Sequence, residues 1–178
     1  MTKPDRSPIF DSEVVSFHVC YGMRADGSLP AVSLLDGLEE ETLPDFDGPA
    51  RLLEGLEDKI WALCTGEDLP LAAYNYLHDG IWELREKNVR LTYYDTDGIG
   101  NFSPKSGERK WAMGQGKNRN FYIPEEMDKF IRLGHWFKKI GQKTDEADLQ
   151  NSYQVRVEDL EHDKNTKAIA DQAALTKE

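Results

Sequence analysis

Arg85, Arg90, Lys138 and Lys139 stand in three short apolar segments, and a local excess of fixed cations is what binding a polyanion requires. Arg85 closes Gly80-Ile81-Trp82-Glu83-Leu84-Arg85, Arg90 lies in Val89-Arg90-Leu91-Thr92-Tyr93-Tyr94, and the two lysines end Leu133-Gly134-His135-Trp136-Phe137-Lys138-Lys139. Charge is uneven along the chain. Residues 80–143 hold 13 Lys/Arg against 8 Asp/Glu, whereas residues 1–79 hold 5 against 16 and the whole chain carries −11. A basic third inside an acidic protein points to a polyanion such as RNA, with the acidic flanks weakening long-range attraction. The opposing reading is also plain: Arg85 and Arg90 could pair with Glu83 or Glu86 across a solvated sheet face.

The elements that must position these side chains follow from pattern. Residues 13–21 alternate as a strand through Val15, Phe17, Val19 and Tyr21. Pro30 opens a helix to Leu38, and Leu52, Leu53, Leu56, Ile60 and Leu63 recur at helical spacing over 49–64 with Gly66 as cap. Leu77 to Arg85 reads as strand, its core being 81–87, and Val89–Asp95 follows tightly near Asn88. Alternation puts Glu83, Arg85 and Lys87 opposite Trp82 and Leu84. On the next strand Arg90, Thr92 and Tyr94 oppose Val89, Leu91 and Tyr93, and which set faces the core stays open. Residues 129–137 form another strand. Thr144 caps a last helix over 145–162 with Leu149, Tyr153, Val157 and Leu160 as its buried stripe.

Residues 96–128 interrupt the regularity with five glycines and with Arg109, Lys110 and other cations interleaved with aromatic residues. This segment reads as a long hairpin loop or two-stranded arm, which could grip single-stranded RNA or hold a protein partner. Residues 1–12 read as a flexible leader and 163–178 as a flexible tail, flanking one domain over 13–162. Cys20 and Cys64 read as buried free thiols, and the four histidines lack metal-ligand spacing, so neither metal nor cofactor is implied. No apolar run approaches the ~20 residues that span a bilayer, and the first residues lack a signal-peptide core, which makes cytoplasmic location the expectation.

The order strand, two helices, antiparallel strands and helix, with the four stretches around Glu83-Leu84-Arg85, Arg90-Leu91-Thr92-Tyr93-Tyr94, Leu133 to Lys139 and Gln142-Lys143-Thr144-Asp145, resembles the RelE/HigB superfamily of type II toxins, in particular its phage-derived HigB-like branch. That resemblance implies an α+β, RelE-like fold with N-terminal helices packed on a small, mainly antiparallel sheet and a C-terminal helix. It implies a translation-inhibiting, ribosome-dependent mRNA endoribonuclease that works without metal. Arg85, Arg90 and Lys139 would stabilise phosphate charge, and Tyr94 or Tyr93 would stack on a base or assist proton transfer. Lys87, Lys138, Lys143, Arg109 and Lys110 would contact RNA. Expected partners are mRNA on the ribosome, a helix-turn-helix antitoxin or a host protein. The order Gly134-His135 reverses the family's His-Gly, which by strand alternation carries the imidazole to the opposite face. Two other functions fit the same fold: an inert protein that binds and inhibits a host protein, and a gyrase poison of the ParE type.

Overall fold

The computed structural model describes residues 6–103, 109–111, 118–120 and 127–177, with the backbone alone for 109–111 and 118–120. The chain is α+β. Its elements run β1 (His18–Tyr21), α1 (Pro30–Glu39), α2 (Pro49–Thr65), a short 3-10 turn (Leu71–Ala73), β2 (Tyr74–His78), β3 (Ile81–Glu86), β4 (Val89–Thr96), β5 (Arg109–Trp111), β6 (Asn118–Asn120), β7 (Phe130–Lys138) and α3 (Glu146–Leu175). Five strands form one sheet in the order β1-β7-β4-β3-β2, and only the β1–β7 pair is parallel. β5 and β6 pair with each other as a separate antiparallel ribbon.

The two faces of the sheet have different chemistry. Val19, Leu84, Leu91, Leu133 and Ile131 point one way, onto Leu34 and Leu38 of α1 and Leu52, Leu56 and Ile60 of α2. Gly66 ends α2 at φ +73, a left-handed conformation that glycine adopts without steric cost. The other face carries Cys20, Glu83, Arg90, Thr92, Tyr94 and Arg132, partly covered by α3. The open choice on β4 is thereby resolved: Val89, Leu91 and Tyr93 face the apolar core.

Three expected elements differ. The strand expected at 13–21 is only β1, because Ser16 and Phe17 donate instead to the Cys64 carbonyl at the end of α2. Residues 6–12 dock rather than trail: Ile9 N–H donates to Val19 O at 2.8 Å, and Phe10 meets Trp61 edge-on at 5.2 Å. Leu77 to Arg85 is not one strand, because Asp79 (φ 50) and Gly80 (φ 76) form a two-residue turn that reverses the chain into β3.

The last helix departs most from its expected form. Its cap is Asp145, which accepts from Ala147 N–H at 3.1 Å, while Thr144 is taken by Lys139. It continues to Leu175, past the end expected at 162. The buried stripe is Ser152, Val155, Arg156, Asp159, Leu160 and Asp163, and Val157 is exposed. A helix that packs on a polar sheet face buries polar side chains, so of the expected stripe Leu160 is buried, Leu149 and Tyr153 are half-buried and Val157 faces outward.

Two of those polar side chains, Asp159 and Asp163, form one network with Arg6, Arg132 and Tyr94. Asp159, fully buried, accepts from Tyr94 Oη at 2.8 Å and Met23 N–H at 3.0 Å, and pairs with Arg6 at 2.6 Å. Asp163 pairs with Arg132 and Arg6, each at 3.2 Å. Buried charges are tolerated when opposite charges and hydrogen bonds satisfy them together.

Candidate functional site

Arg85 and Arg90 are directly opposed across the β3–β4 hairpin, and Glu83 lies two residues before Arg85 on the same face. The Glu83 carboxylate is the hub. Its Oε1 is 3.1 Å from Arg85 Nε and 3.6 Å from Arg90 Nε. Its Oε2 is buried and has no hydrogen-bond partner among the described residues. Arg90 is held further by donating from Nη1 to the carbonyls of Lys87 at 2.7 Å and Val89 at 2.9 Å. Both guanidinium groups are thus fixed before any ligand arrives, which lowers the ordering cost of binding.

Lys139 completes the group from the end of β7. Its backbone N–H donates to Asn88 O at 2.7 Å, which ties it to the hairpin tip, and its ammonium donates to Thr144 Oγ1 at 3.0 Å. Burial lowers its pKa; the field of Glu83 and Asp148 opposes that shift, and Arg90 and Arg85 add to it. Burial also lowers the Arg90 pKa, with Glu83 opposing and Arg85 adding. Three cations around one carboxylate leave this patch net positive inside an acidic chain.

His135 joins the same face, contrary to the expectation from strand alternation. The β4–β7 register runs Leu91↔Trp136 and then Tyr93↔Leu133, so Gly134 and His135 together oppose Thr92. This β-bulge inserts one residue and resets the phase. Thr92 Oγ1 donates to His135 O at 3.0 Å, and a Cβ on residue 134 would come within 2.9 Å of that hydroxyl, so glycine suits the place. The imidazole stacks on Phe137 at 5.9 Å, and its Nε2 lies 3.0 Å from Asp148 Oδ1 in the first turn of α3. An aspartate beside one ring nitrogen fixes orientation and tautomer and leaves the other nitrogen for proton transfer.

The remaining candidates are dispersed. Tyr94 is 1 % exposed beneath α3, its hydroxyl spent on Asp159, and burial and that carboxylate raise its pKa. A direct role for Tyr94 in catalysis does not fit this placement, because no ligand reaches it without displacing α3. Tyr93 is buried on the opposite face, stacked with Trp82 at 6.4 Å. Lys138 also points away, donating to Asp45 O at 2.8 Å. Lys87 is exposed at the hairpin tip and Lys143 in the bend before α3. Arg109 and Lys110 lie on β5, and their side chains fall outside the described residues.

The sequence offered Glu83 or Glu86 as the carboxylate with which Arg85 and Arg90 could pair, and both arginines pair with Glu83; Asp148 carries no signal, since its importance depends on how α3 docks. No family model matches the chain, and no curated protein matches it either. Among the described residues, no helix is long and apolar enough to cross a membrane.

Proposed function

We propose that this protein is a translation-inhibiting, ribosome-dependent mRNA endoribonuclease of the RelE/HigB type, acting through the face formed by Arg85, Arg90, Lys139 and His135. One observation carries the reading. Two arginines are held on a single buried carboxylate, with a lysine and an aspartate-oriented histidine beside them, on a rigid sheet. Rigid elements place catalytic groups more precisely than loops do.

The chemistry is transfer of a phosphodiester to its own 2′ oxygen. The bond from the 2′ oxygen to phosphorus forms as the bond to the 5′ oxygen breaks, leaving a 2′,3′-cyclic phosphate and a 5′ hydroxyl. His135 takes the 2′ proton, with Asp148 holding the ring, and water protonates the departing 5′ oxygen. Arg85, Arg90 and Lys139 cover the charge that accumulates on the phosphoryl oxygens, where preorganised cations contribute most. Glu83 holds both guanidinium groups. mRNA is the polyanion, and a helix-turn-helix antitoxin is the expected regulator.

The test is induction of the chain in a bacterial host with mapping of mRNA ends. The expected result is arrested translation with cuts inside codons, both abolished by Arg85→Ala with Arg90→Ala. Arrest that survives the double substitution with intact mRNA refutes the proposal. It would favour instead an inert inhibitor of a host protein on the same fold.

A further inference from the structure

A pocket of about 540 Å³ opens directly beside Arg85, between α2, the loop before the 3-10 turn, and the tip of the β3–β4 hairpin. It exists because β2 is short. Tyr74, the first residue of β2, pairs with Leu84, so Arg85, Glu86 and Lys87 run on without a neighbour strand on that side. α2 forms the facing wall and approaches closely at Gly55, where a Cβ would meet the Glu86 carboxylate. Lys59 of α2 pairs with Glu86, which joins the two walls and neutralises both charges.

What remains is polarised. The floor is apolar, from Ala62, Leu69 and Ala73. On the hairpin side stand Arg85 and Lys87, and across from them stand three exposed carboxylates, Asp58 on α2 and Glu67 and Asp68 on the loop. The volume falls in the range of small-ligand sites. An occupant that complements it is flat, anionic at one end and rich in N–H donors at the other.

Resting on the nuclease reading, we infer that this pocket binds the base of a nucleotide adjoining the reacting phosphate, and that it prefers guanine. Arg85 lines the pocket while its guanidinium rests on Glu83, so the two sites adjoin at this residue, and Lys87 would hold the connecting phosphate. Guanine presents N1–H and the exocyclic amino group side by side, two donors that match the two oxygens of one carboxylate. Uracil offers one donor between two acceptors, and adenine sets an acceptor beside its amino group, so neither matches Glu67 or Asp68 as well. Unstacked bases of single-stranded RNA are commonly read in this manner, on their Watson–Crick edges.

Calorimetric titration of the full chain with guanosine 5′-monophosphate, uridine 5′-monophosphate and inorganic phosphate tests the inference. Guanosine monophosphate should bind at least about tenfold more tightly than the uridine compound, a difference of about 1.4 kcal/mol. Glu67→Gln with Asp68→Asn should erase that preference while leaving phosphate binding unchanged. Ala72→Phe, at an exposed lining position, should weaken the guanosine compound by about tenfold by filling the space. Equal binding of the two nucleotides, or a preference that survives both variants, overturns the subsite. In that event mRNA cuts that still depend on Arg85 and Arg90 leave the nuclease reading standing, so the two failures are separable.

Discussion

Asp159→Ala is the most informative perturbation of the fold, because the carboxylate joins four elements through one residue. It is fully buried. It accepts from Met23 N–H at 3.0 Å and Tyr94 Oη at 2.8 Å, pairs with Arg6 at 2.6 Å and lies 3.8 Å from Arg132 Nη1. Removing one partner of a buried charge pair costs about 3–5 kcal/mol. Each buried donor left without an acceptor adds about 1–3 kcal/mol. Water entering the vacated space recovers part of this, so the expected loss is about 4–6 kcal/mol. Tyr94→Phe deletes a single bond to the same carboxylate and should cost about 1.5–3 kcal/mol. With urea slopes of about 1–3 kcal/mol per molar, Asp159→Ala should move the unfolding midpoint by roughly 2 M. Tyr94→Phe and Asp159→Asn should move it by less. Total stability is only about 5–15 kcal/mol, so Asp159→Ala should fall near the limit of folding. If Asp159→Ala costs no more than Tyr94→Phe, the network is dispensable and the other contacts of α3 hold it to the sheet.

Two further predictions follow from buried titratable groups. The pKa of His18 is lowered by burial and then by Arg132, and that of His162 by burial and then by Arg6, so the unfolded chain takes up these protons first. Their contribution is complete above about pH 6.5 and is lost as pH falls towards the depressed folded values, so urea midpoints should drop between about pH 7 and 5.5. A His18→Gln, His162→Gln variant should flatten that slope, and an unchanged slope would contradict the reasoning. Burial raises the thiol pKa of Cys20 and pushes that of Cys64 up to about 12. Neither should react with a thiol reagent in the native state near neutral pH, and both should react on unfolding; fast native labelling would contradict their placement.

How much of this was legible in the sequence depends on what each element packs against. α1, α2, β3 and β4 meet an apolar core, and their spacing predicted them within a residue or two. α3 meets a polar face, so Leu160 of the expected stripe is buried while Val157 is exposed, and a spacing rule that counts apolar residues does not find Asp159 or Asp163. β1 is shorter than its β-favouring residues suggest because Val15 donates to Ser12 O in a local turn, and Ser16 and Phe17 donate to Cys64 O at the end of α2. In the candidate site, Arg85 and Arg90 could be read from alternation, but His135 could not. A bulge opposite Thr92 reverses the face on which it lies, and only the pairing register shows it. Asp148 is invisible for a related reason, since its contact with His135 spans β7 and α3.

We propose that the face carrying Arg85, Arg90, Lys139 and His135 cleaves mRNA on the ribosome. Mapping mRNA ends after brief induction tests it most directly, comparing the natural chain with Arg85→Ala, Arg90→Ala and with His135→Ala. In-codon cuts with 5′-hydroxyl ends are expected for the natural chain, no cuts for the arginine variant, and much slower cutting for His135→Ala, all three proteins remaining folded. Intact mRNA under the natural chain, or equal cutting by the folded arginine variant, would contradict the proposal.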